Sequence, residues 1–442
     1  MVKACKIFKS CEEYRFDCKI YKFKTMFNLF NKPKTVKSNV VLALDIGTEF
    51  AKALIIEVIE GKAFVIGTGK QRQKLGDMHN GAIMDIASVV ENSKKAIKQA
   101  ERMAGVIATQ VILGIAGELV KGDTSTITYT RKNPETKIDL TELKNIVQKV
   151  QWKCFEEVRS RLADETGYNE IDIKLVNAAV VGMNIDGYKV SNPLGFQGKE
   201  IEISIFNAFA PLVHYGALQT IAAELDMDLL AITVEPYAVA RSLTFEDGGD
   251  YSAIFIDIGG GTTDIAVVQN GAVLGTKMFT IGGRVFTKRL AQILNISHRE
   301  AEEVKIAYSN DLLDKNSYKI VREAMKMDAD TWVSGVELSL NDFNNIDVLP
   351  SRIYICGGGS HLPEVKEILE TPHWYKNLPF SSQPKVRFLE PKDIATLEDK
   401  TGKLNDPSDI TPMALGNIAL ELAGEEQVLF SLLKKVVKLM QV

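Results

Sequence analysis

Short apolar runs alternate with stretches of helical spacing from about residue 40 onward. Val40–Leu44, Val111–Ala116, Ala253–Ile256 and Ile265–Val268 are short apolar runs of the kind buried strands make, and Leu229–Val234 and Ile201–Phe209, the latter interrupted by Glu202, Ser204 and Asn207, read as further strands. Between them, Ile83, Met84, Ile86, Val89 and Val90 recur at helical spacing and continue through Ala96, Ile97, Ala100 and Met103. Leu140–Leu162, rich in Lys and Glu, reads as a further helix, as do Pro211–Leu225, Pro236–Leu243 and Tyr318–Leu340. Thr124–Thr130, Ile173–Val181 and Tyr188–Val190 read as strands of a more polar kind. The alternation predicts an α/β protein.

The polar interruptions of this pattern carry the chemistry. The strand Ala253–Ile256 runs into Asp257-Ile258-Gly259-Gly260-Gly261-Thr262-Thr263-Asp264 and resumes as Ile265–Val268. Consecutive glycines let main-chain N–H groups approach an anion with no Cβ in the way, and threonine hydroxyls add donors. Asp257, at the strand end, suits a divalent cation held through water, because Mg²⁺ keeps much of its hydration shell. A glycine-rich hairpin can also do no more than turn tightly, but here aspartates flank the glycines on both sides. The device occurs a second time: Val40–Leu44 leads into Asp45-Ile46-Gly47-Thr48, and Ala53–Val58 returns. A third element is the strand Arg352–Ile355, which ends in Cys356-Gly357-Gly358-Gly359-Ser360 before a helix and suits an adenosine lying against backbone.

In this order and spacing the three elements resemble the actin-like ATPase superfamily of actin, chaperone ATPases, sugar kinases and bacterial filament proteins. The resemblance narrows at Gly81-x-Ile83…Asp85-Ile86, Ala100–Val106 and Val111…Gly114-Ile115-Ala116-Gly117. Together with Asn192–Gly195, Glu235–Ala240, and Ile281-Gly282-Gly283…Ala301-Glu302-Glu303-Val304-Lys305, these look like FtsA, the actin-like protein of bacterial cell division. The likeness covers roughly residues 40–310 and resumes at 350–423. PilM, the type IV pilus relative, shares much of it.

The resemblance implies two duplicated lobes around a nucleotide cleft, with ATP and Mg²⁺ as cofactors. Asp45, Gly47 and Thr48 would form one phosphate loop, and Asp257 with Gly259, Gly260, Gly261, Thr262 and Thr263 the other. Asp45 and Asp257 would face each other around the metal. Gly282 and Gly283 would border the site, and Gly357, Gly358 and Gly359 would meet the adenosine. Glu302 and Lys305, three apart and so on one helical face, would contact the ribose and adenine side. Glu235 has two roles open to it: polarising an attacking water, or capping the helix that begins at Pro236. Any hydrolysis is expected to be slow, with Glu235 and Asp257 as its catalytic residues.

Seven segments are expected along the chain. Residues 1–38 form a basic, disordered extension, and 39–83 the first part of the first lobe. An inserted FtsA-type subdomain takes 84–168, and 169–245 complete the first lobe's second part. The second lobe is 246–405, a first-lobe C-terminal helix 406–424, and an amphipathic membrane-targeting helix 425–442. The extension carries ten Lys/Arg against three Asp/Glu. Met26 opens Met-Phe-Asn-Leu-Phe-Asn-Lys-Pro-Lys, so residues 1–25 are read as a tail or as an overextended reading frame. FtsA has a β-rich subdomain in the second lobe after the Glu-x-x-Lys helix. Here it is expected to be reduced to a loop and one helix, which weakens the expectation of an FtsZ contact.

In the terminal helix, Gln427, Ser431, Lys434, Lys435, Lys438 and Gln441 share one arc. Leu429, Leu432, Leu433, Val436, Val437, Leu439 and Met440 fill the other. Such a basic amphipathic helix suits the headgroup region, although it could equally pack on the first lobe. Three lysines near an anionic surface supply ~3 kcal/mol at about 1 kcal/mol each, so one copy binds reversibly and a polymer of copies binds firmly.

Composition changes this picture little. The 442 residues have room for two or three domains, with 45% hydrophobic and 25% charged residues. A net charge of −4 gives no reason to expect nucleic acid as a partner. Cys5, Cys11, Cys18, Cys154 and Cys356 match no zinc spacing and are read as reduced cytosolic thiols. No apolar run approaches the ~20 residues that cross a bilayer, and the basic N-terminal region lacks the apolar centre of a signal peptide.

The function expected is an FtsA-like, nucleotide-regulated, self-assembling scaffold on the cytoplasmic face of the membrane at the septum, tethering FtsZ or other divisome proteins. The alternatives are a PilM-like scaffold for pilus or secretion assembly, and a small-molecule kinase of the same superfamily.

Overall fold

The computed structural model of the chain describes residues 35–36, 39–117, 120–166, 173–190, 192–243, 251–343, 346–394 and 396–423. The extension through residue 34 and the stretch 424–442 lie outside the described residues, and with them the positions Leu429–Met440 expected to contact a membrane.

The first lobe opens with a meander, β1 (Val40–Ile46), β2 (Phe50–Ile59) and β3 (Lys62–Arg72). β1 is buried along its whole length, the apolar run Val40–Leu44 and Asp45 alike. Helix α1 (Ile86–Ala104) starts at Asp85, whose carboxylate accepts from the Ser88 amide, and stops at Gly105 with φ 72°. It lies directly on β3, where a Cβ on Gly69 would come within 2.0 Å of the Ala96 carbonyl oxygen. Then follows β4 (Gln110–Ile115), parallel to β1.

The chain next leaves the lobe for β5 (Lys121–Thr130), α2 (Leu140–Thr166), β6 (Ile173–Ile185), β7 (Tyr188–Lys189) and β8 (Glu200–Pro211). This unit has its own core, where Leu143, Val147 and Cys154 meet Met183, Ile201 and Ile203. It returns through α3 (Leu212–Glu224) to β9 (Asp228–Val234), parallel to β4, and α4 (Glu235–Ser242).

The second lobe repeats the first. Its meander is β10 (Ala253–Ile258), β11 (Thr263–Gln269) and β12 (Ala272–Phe279). Helices α5 (Gly283–Leu294), α6 (His298–Ser309) and α7 (Lys315–Asn341) follow, then β13 (Arg352–Cys356), α8 (Pro363–Leu369) and β14 (Lys385–Phe388). β13 is parallel to β10 and to β14. Both lobes therefore carry strands in the order third, second, first, fourth, fifth of the lobe, with two antiparallel pairings and then two parallel ones. Trp332 on α7 and Phe286 on α5 centre the second core. Finally β15 (Leu397–Asp399) pairs with β3, and α9 (Ile410–Ala423) packs on α4 and β1.

These pairings move three expected boundaries. The inserted unit was drawn at 84–168. However, β4 belongs to the six-stranded first-lobe sheet and α1 packs on its strand β3, while the insertion's strands run from Lys121 to Pro211. It also joins the second lobe, since Gly122 and Asp123 of β5 pair with Thr276 and Gly275 of β12 to give one nine-stranded sheet. The second lobe, drawn to 405, gives way earlier, because β15 already lies in the first-lobe sheet. At the other end, Thr35–Val36 pair with Val106–Ile107, so the extension's last residues join the first lobe. Between α6 and β13 the described residues hold one helix, α7, as expected from the shortened sequence there.

Candidate functional site

A cavity of about 730 Å³ lies between the lobes, within the range of sites for small molecules and cofactors. Its walls come from equivalent places in the two meanders. In each lobe the first strand delivers an aspartate one residue before its end: Asp45 on β1 and Asp257 on β10. In each, the glycine two residues on closes the turn with the same bond. The Gly47 amide donates to the Phe50 carbonyl at 3.0 Å, and the Gly259 amide to the Thr262 carbonyl at 2.9 Å. The sequence reading began the second turn at Asp257, whereas β10 runs on to Ile258 and Asp257 sits across the ladder from Asp264.

The two turns touch. A Cβ on Gly260 would stand 2.7 Å from Glu49 Cγ, and one on Gly261 2.9 Å from Thr48 Oγ1. Glycine is required at these positions by proximity rather than by backbone angle. The start of α5 supports the second turn from behind, with the Gly283 amide donating to Gly259 O and the Arg284 amide to Gly260 O. Gly282 packs against the same carbonyl of Gly259.

Four carboxylates gather at the floor. Asp45, Asp257, Asp264 and Glu235 all line the cavity. Burial pushes Asp45 above the usual carboxylate range and the Asp257 charge adds to this, while Lys52 pulls the other way. Asp257 is raised by burial, against the hydrogen bond from Thr411. Asp264 and Glu235 are raised well above their ordinary values, by burial first and then by their acidic neighbours. Asp264 Oδ1 is buried with no hydrogen-bond partner among the described residues. Lys52 Nζ stands 3.7 Å from Asp45 and also donates to the Ser408 carbonyl. Among the described residues, no group of three or more His, Cys, Asp or Glu side chains could hold a metal ion directly. Hard oxygen donors carrying surplus negative charge, with one oxygen unpaired, fit a hydrated Mg²⁺ held at one remove rather than a zinc-like ligand cage.

Glu302 and Lys305 of α6 also reach the cavity. They form a 2.8 Å ion pair with both side chains 12% exposed. Lys305 further donates to Gly283 O at 3.1 Å and to Thr287 Oγ1 at 2.9 Å. Burial acts to raise Glu302, but the Lys305 charge and its hydrogen bonds outweigh it and the net shift is downward. Gly357, Gly358 and Gly359 form the opposite wall. Gly357 has φ 81°, and a Cβ there would lie 2.1 Å from Asp257 Oδ1.

Asp45, Gly47, Thr48, Glu235, Asp257, Gly259, Gly260, Thr262, Glu302, Lys305 and Gly357–Gly359 thus converge on one cavity. Glu235 does not cap its helix, since α4 has no side-chain cap. Its carboxylate instead lies against Gly114 of β4, where a Cβ would be 2.5 Å from Oε1. Thr263 faces away from the turn, its hydroxyl donating to Ile281 O at 2.7 Å and accepting from Trp332 Nε1 at 2.9 Å. Gly261, Gly282 and Gly283 act behind the wall rather than in it. Sequence reasoning missed Lys52, Thr411, Glu49 and Arg284. Lys52 had a signal, because a lysine inside the apolar strand Phe50–Ile59 falls in register with Asp45.

Comparisons with known proteins agree with this geometry. A model of the family described as "Cell division protein FtsA" matches residues 254–413. The cell division protein FtsA of Pseudomonas aeruginosa is 26% identical over 351 residues, covering 75% of this chain and 80% of that protein. That of Enterococcus faecalis is 25% identical over 284 residues, covering 64% of this chain and 60% of that protein. Among solved structures, a chain of a PilM-PilN type IV pilus biogenesis complex superposes with a TM-score of 0.60 at 17% identity, covering 86% of this chain and 98% of that one. The fold is that of the actin-like ATPases, two like lobes meeting at paired aspartate–glycine turns. Within that class, the chain is FtsA-like.

Proposed function

We propose that the cleft binds ATP with Mg²⁺ and that the protein is a membrane-associated scaffold of bacterial cell division. The observation that carries the nucleotide reading is the pair of matched turns, each with an aspartate and the same glycine-closed bond, abutting at one cavity. In this reading the amides of Thr48 and Gly260 and the Thr262 hydroxyl cradle the phosphates. Asp45 and Asp257, with Asp264 beside them, hold the hydrated metal, which offsets phosphate charge. Glu302, Lys305 and the Gly357–Gly359 turn take the ribose and base. Glu235, kept protonation-prone by burial, orients water in a slow hydrolysis. The test is equilibrium binding of a fluorescent ATP analogue in Mg²⁺ to the full chain and to Asp45→Ala and Asp257→Ala. Both variants are expected to lose at least about 100-fold in affinity; unchanged binding in both would overturn the reading.

The relatives named as cell division proteins support the wider role. We propose that nucleotide state governs lobe closure and self-association, that residues 425–442 contact the cytoplasmic face of the membrane, and that FtsZ or another divisome protein is the partner at the septum. A PilM-like pilus scaffold is the second reading, favoured by one observation, the superposition on the PilM-PilN complex chain at a TM-score of 0.60 over 98% of that chain. Retention of the FtsZ tail in a pull-down from the native cell separates the two. Substrate-stimulated phosphoryl transfer to a small molecule would replace both with a kinase.

A further inference from the structure

One residue is bonded to both turns. Arg284, at the start of α5 in the second lobe, donates its amide to Gly260 O of its own lobe's turn at 2.8 Å. Its side chain crosses the cleft to the other. Nη2 donates to Thr48 O at 2.8 Å, Nη1 to Met78 O at 3.0 Å and Leu75 O at 3.4 Å, and Nε to the Glu49 carboxylate. Arg284 and Glu49 are only 17% and 18% exposed. Glu49 is held in turn by Arg72 at 3.4 Å, and its carbonyl accepts from the Gln73 amide at 2.8 Å. The loop that offers Leu75 and Met78 is itself anchored. Asn92 of α1 donates to Gln73 and to Asp77, each at 2.8 Å, in a buried network.

We infer that Arg284 is a cross-cleft positioning residue that sets the spacing of the two turns and so governs how fast a nucleotide leaves. The inference rests on the nucleotide reading of the cleft. Separating the lobes must strip the guanidinium of every first-lobe acceptor at once, and those acceptors lie on the turn and on the loop behind it. Only a planar fork with several fixed N–H donors can serve a carboxylate and three carbonyls together, so lysine is not an equivalent. Glu49 is shared between two guanidiniums, with Arg284 on Oε1 and Arg72 on Oε2.

The test compares the full chain with Arg284→Ala, Arg284→Lys and Glu49→Gln. The first readout is stopped-flow release of a fluorescent ATP analogue in Mg²⁺. Release is expected to be at least about tenfold faster in Arg284→Ala, intermediate in Arg284→Lys, and less affected in Glu49→Gln, where the carbonyl acceptors remain. The second readout is the spin-label distance between exposed positions on α1 and α6 without nucleotide, expected to broaden in Arg284→Ala. Release within twofold of the parent together with an unchanged distance distribution overturns the inference. If Arg284→Ala does not fold, Arg284→Lys decides the matter by the same two readouts. If the parent chain binds no nucleotide, the cleft reading fails, and the distance measurement alone tests the lobe coupling.

Discussion

At the scale of single residues, the floor of the cleft is dominated by uncompensated acid. Asp45, Asp257, Asp264 and Glu235 are buried there with Lys52 as the cation on the adjoining strand, and all four are raised. A carboxylate raised in the folded state contributes stability below its ordinary value, near 4, and that contribution is lost as pH rises toward its raised value. Ligand-free protein should therefore weaken as pH climbs from about 4 toward neutrality. Glu235→Gln relieves part of this. Its melting temperature should exceed the parent's by about 2–4 °C near pH 8 for each kcal/mol regained. The gap should close near pH 5, as scanning calorimetry in chelator can follow. The same variant should slow ATP hydrolysis while leaving analogue binding near the parental level. A rise at both pH values would trace the gain to packing rather than charge. Glu302 runs the other way: held down by Lys305, it contributes above the ordinary carboxylate range and ceases to as pH falls below it.

At the scale of elements, the cleft depends on close backbone approach, and the sequence announces this only in part. The run of glycines at Gly259–Gly261 was legible because three in a row between strands have few other uses. Their actual reason, contact with Thr48 and Glu49 of the other lobe, is a tertiary fact with no local signal. The amphipathic pattern of α1 was equally plain. Its apolar stripe does not say which sheet it covers, and the family resemblance alone places it in the insertion. The alternate glycines Gly67 and Gly69 on β3 were the available clue, since helix and strand meet there with no room for a Cβ. Thr263 misled for a related reason: its hydroxyl is spent on Trp332, far along the chain and within the second core. Gly357 offers the sharpest element-level test. Alanine there takes an unfavourable left-handed backbone and drives its methyl against Asp257. Gly357→Ala should cost about 1–3 kcal/mol in urea unfolding and weaken analogue binding beyond that seen in Gly402→Ala. Gly402 is also left-handed, with φ 62°, but has open space around it. Equal effects of the two would remove the adenosine wall from the site.

At the scale of the whole molecule, the repeated lobe topology explains why a single ligand can organise the chain. Two sheets of like order present like turns to each other. The segments joining the lobes, α4 and the stretch from β15 to α9, both border the cavity: Glu235 opens α4, while Ser408 and Thr411 reach Lys52 and Asp257. Closure on a nucleotide would therefore be felt at α9, the element from which the chain runs on toward 425–442. Among the described residues no helix is long and apolar enough to cross a membrane; the attachment proposed is a surface contact. The arc of Lys434, Lys435 and Lys438 beside Leu429, Leu432, Leu433, Val436 and Met440 is the segment whose pattern suits one. Three lysines give ~3 kcal/mol on an anionic surface, partly offset by the loss of freedom on binding, which leaves a single copy weakly held. Linking copies in a polymer multiplies the attachment through effective concentration. Co-sedimentation with anionic vesicles should then rise steeply with protein concentration in ATP and Mg²⁺, and weakly without them. Deleting residues 425–442 should abolish sedimentation with vesicles while leaving analogue affinity within about twofold of the parent. Sedimentation that survives the deletion, or that ignores nucleotide at every concentration, would separate membrane contact from the cleft and leave the terminal segment to pack on the first lobe.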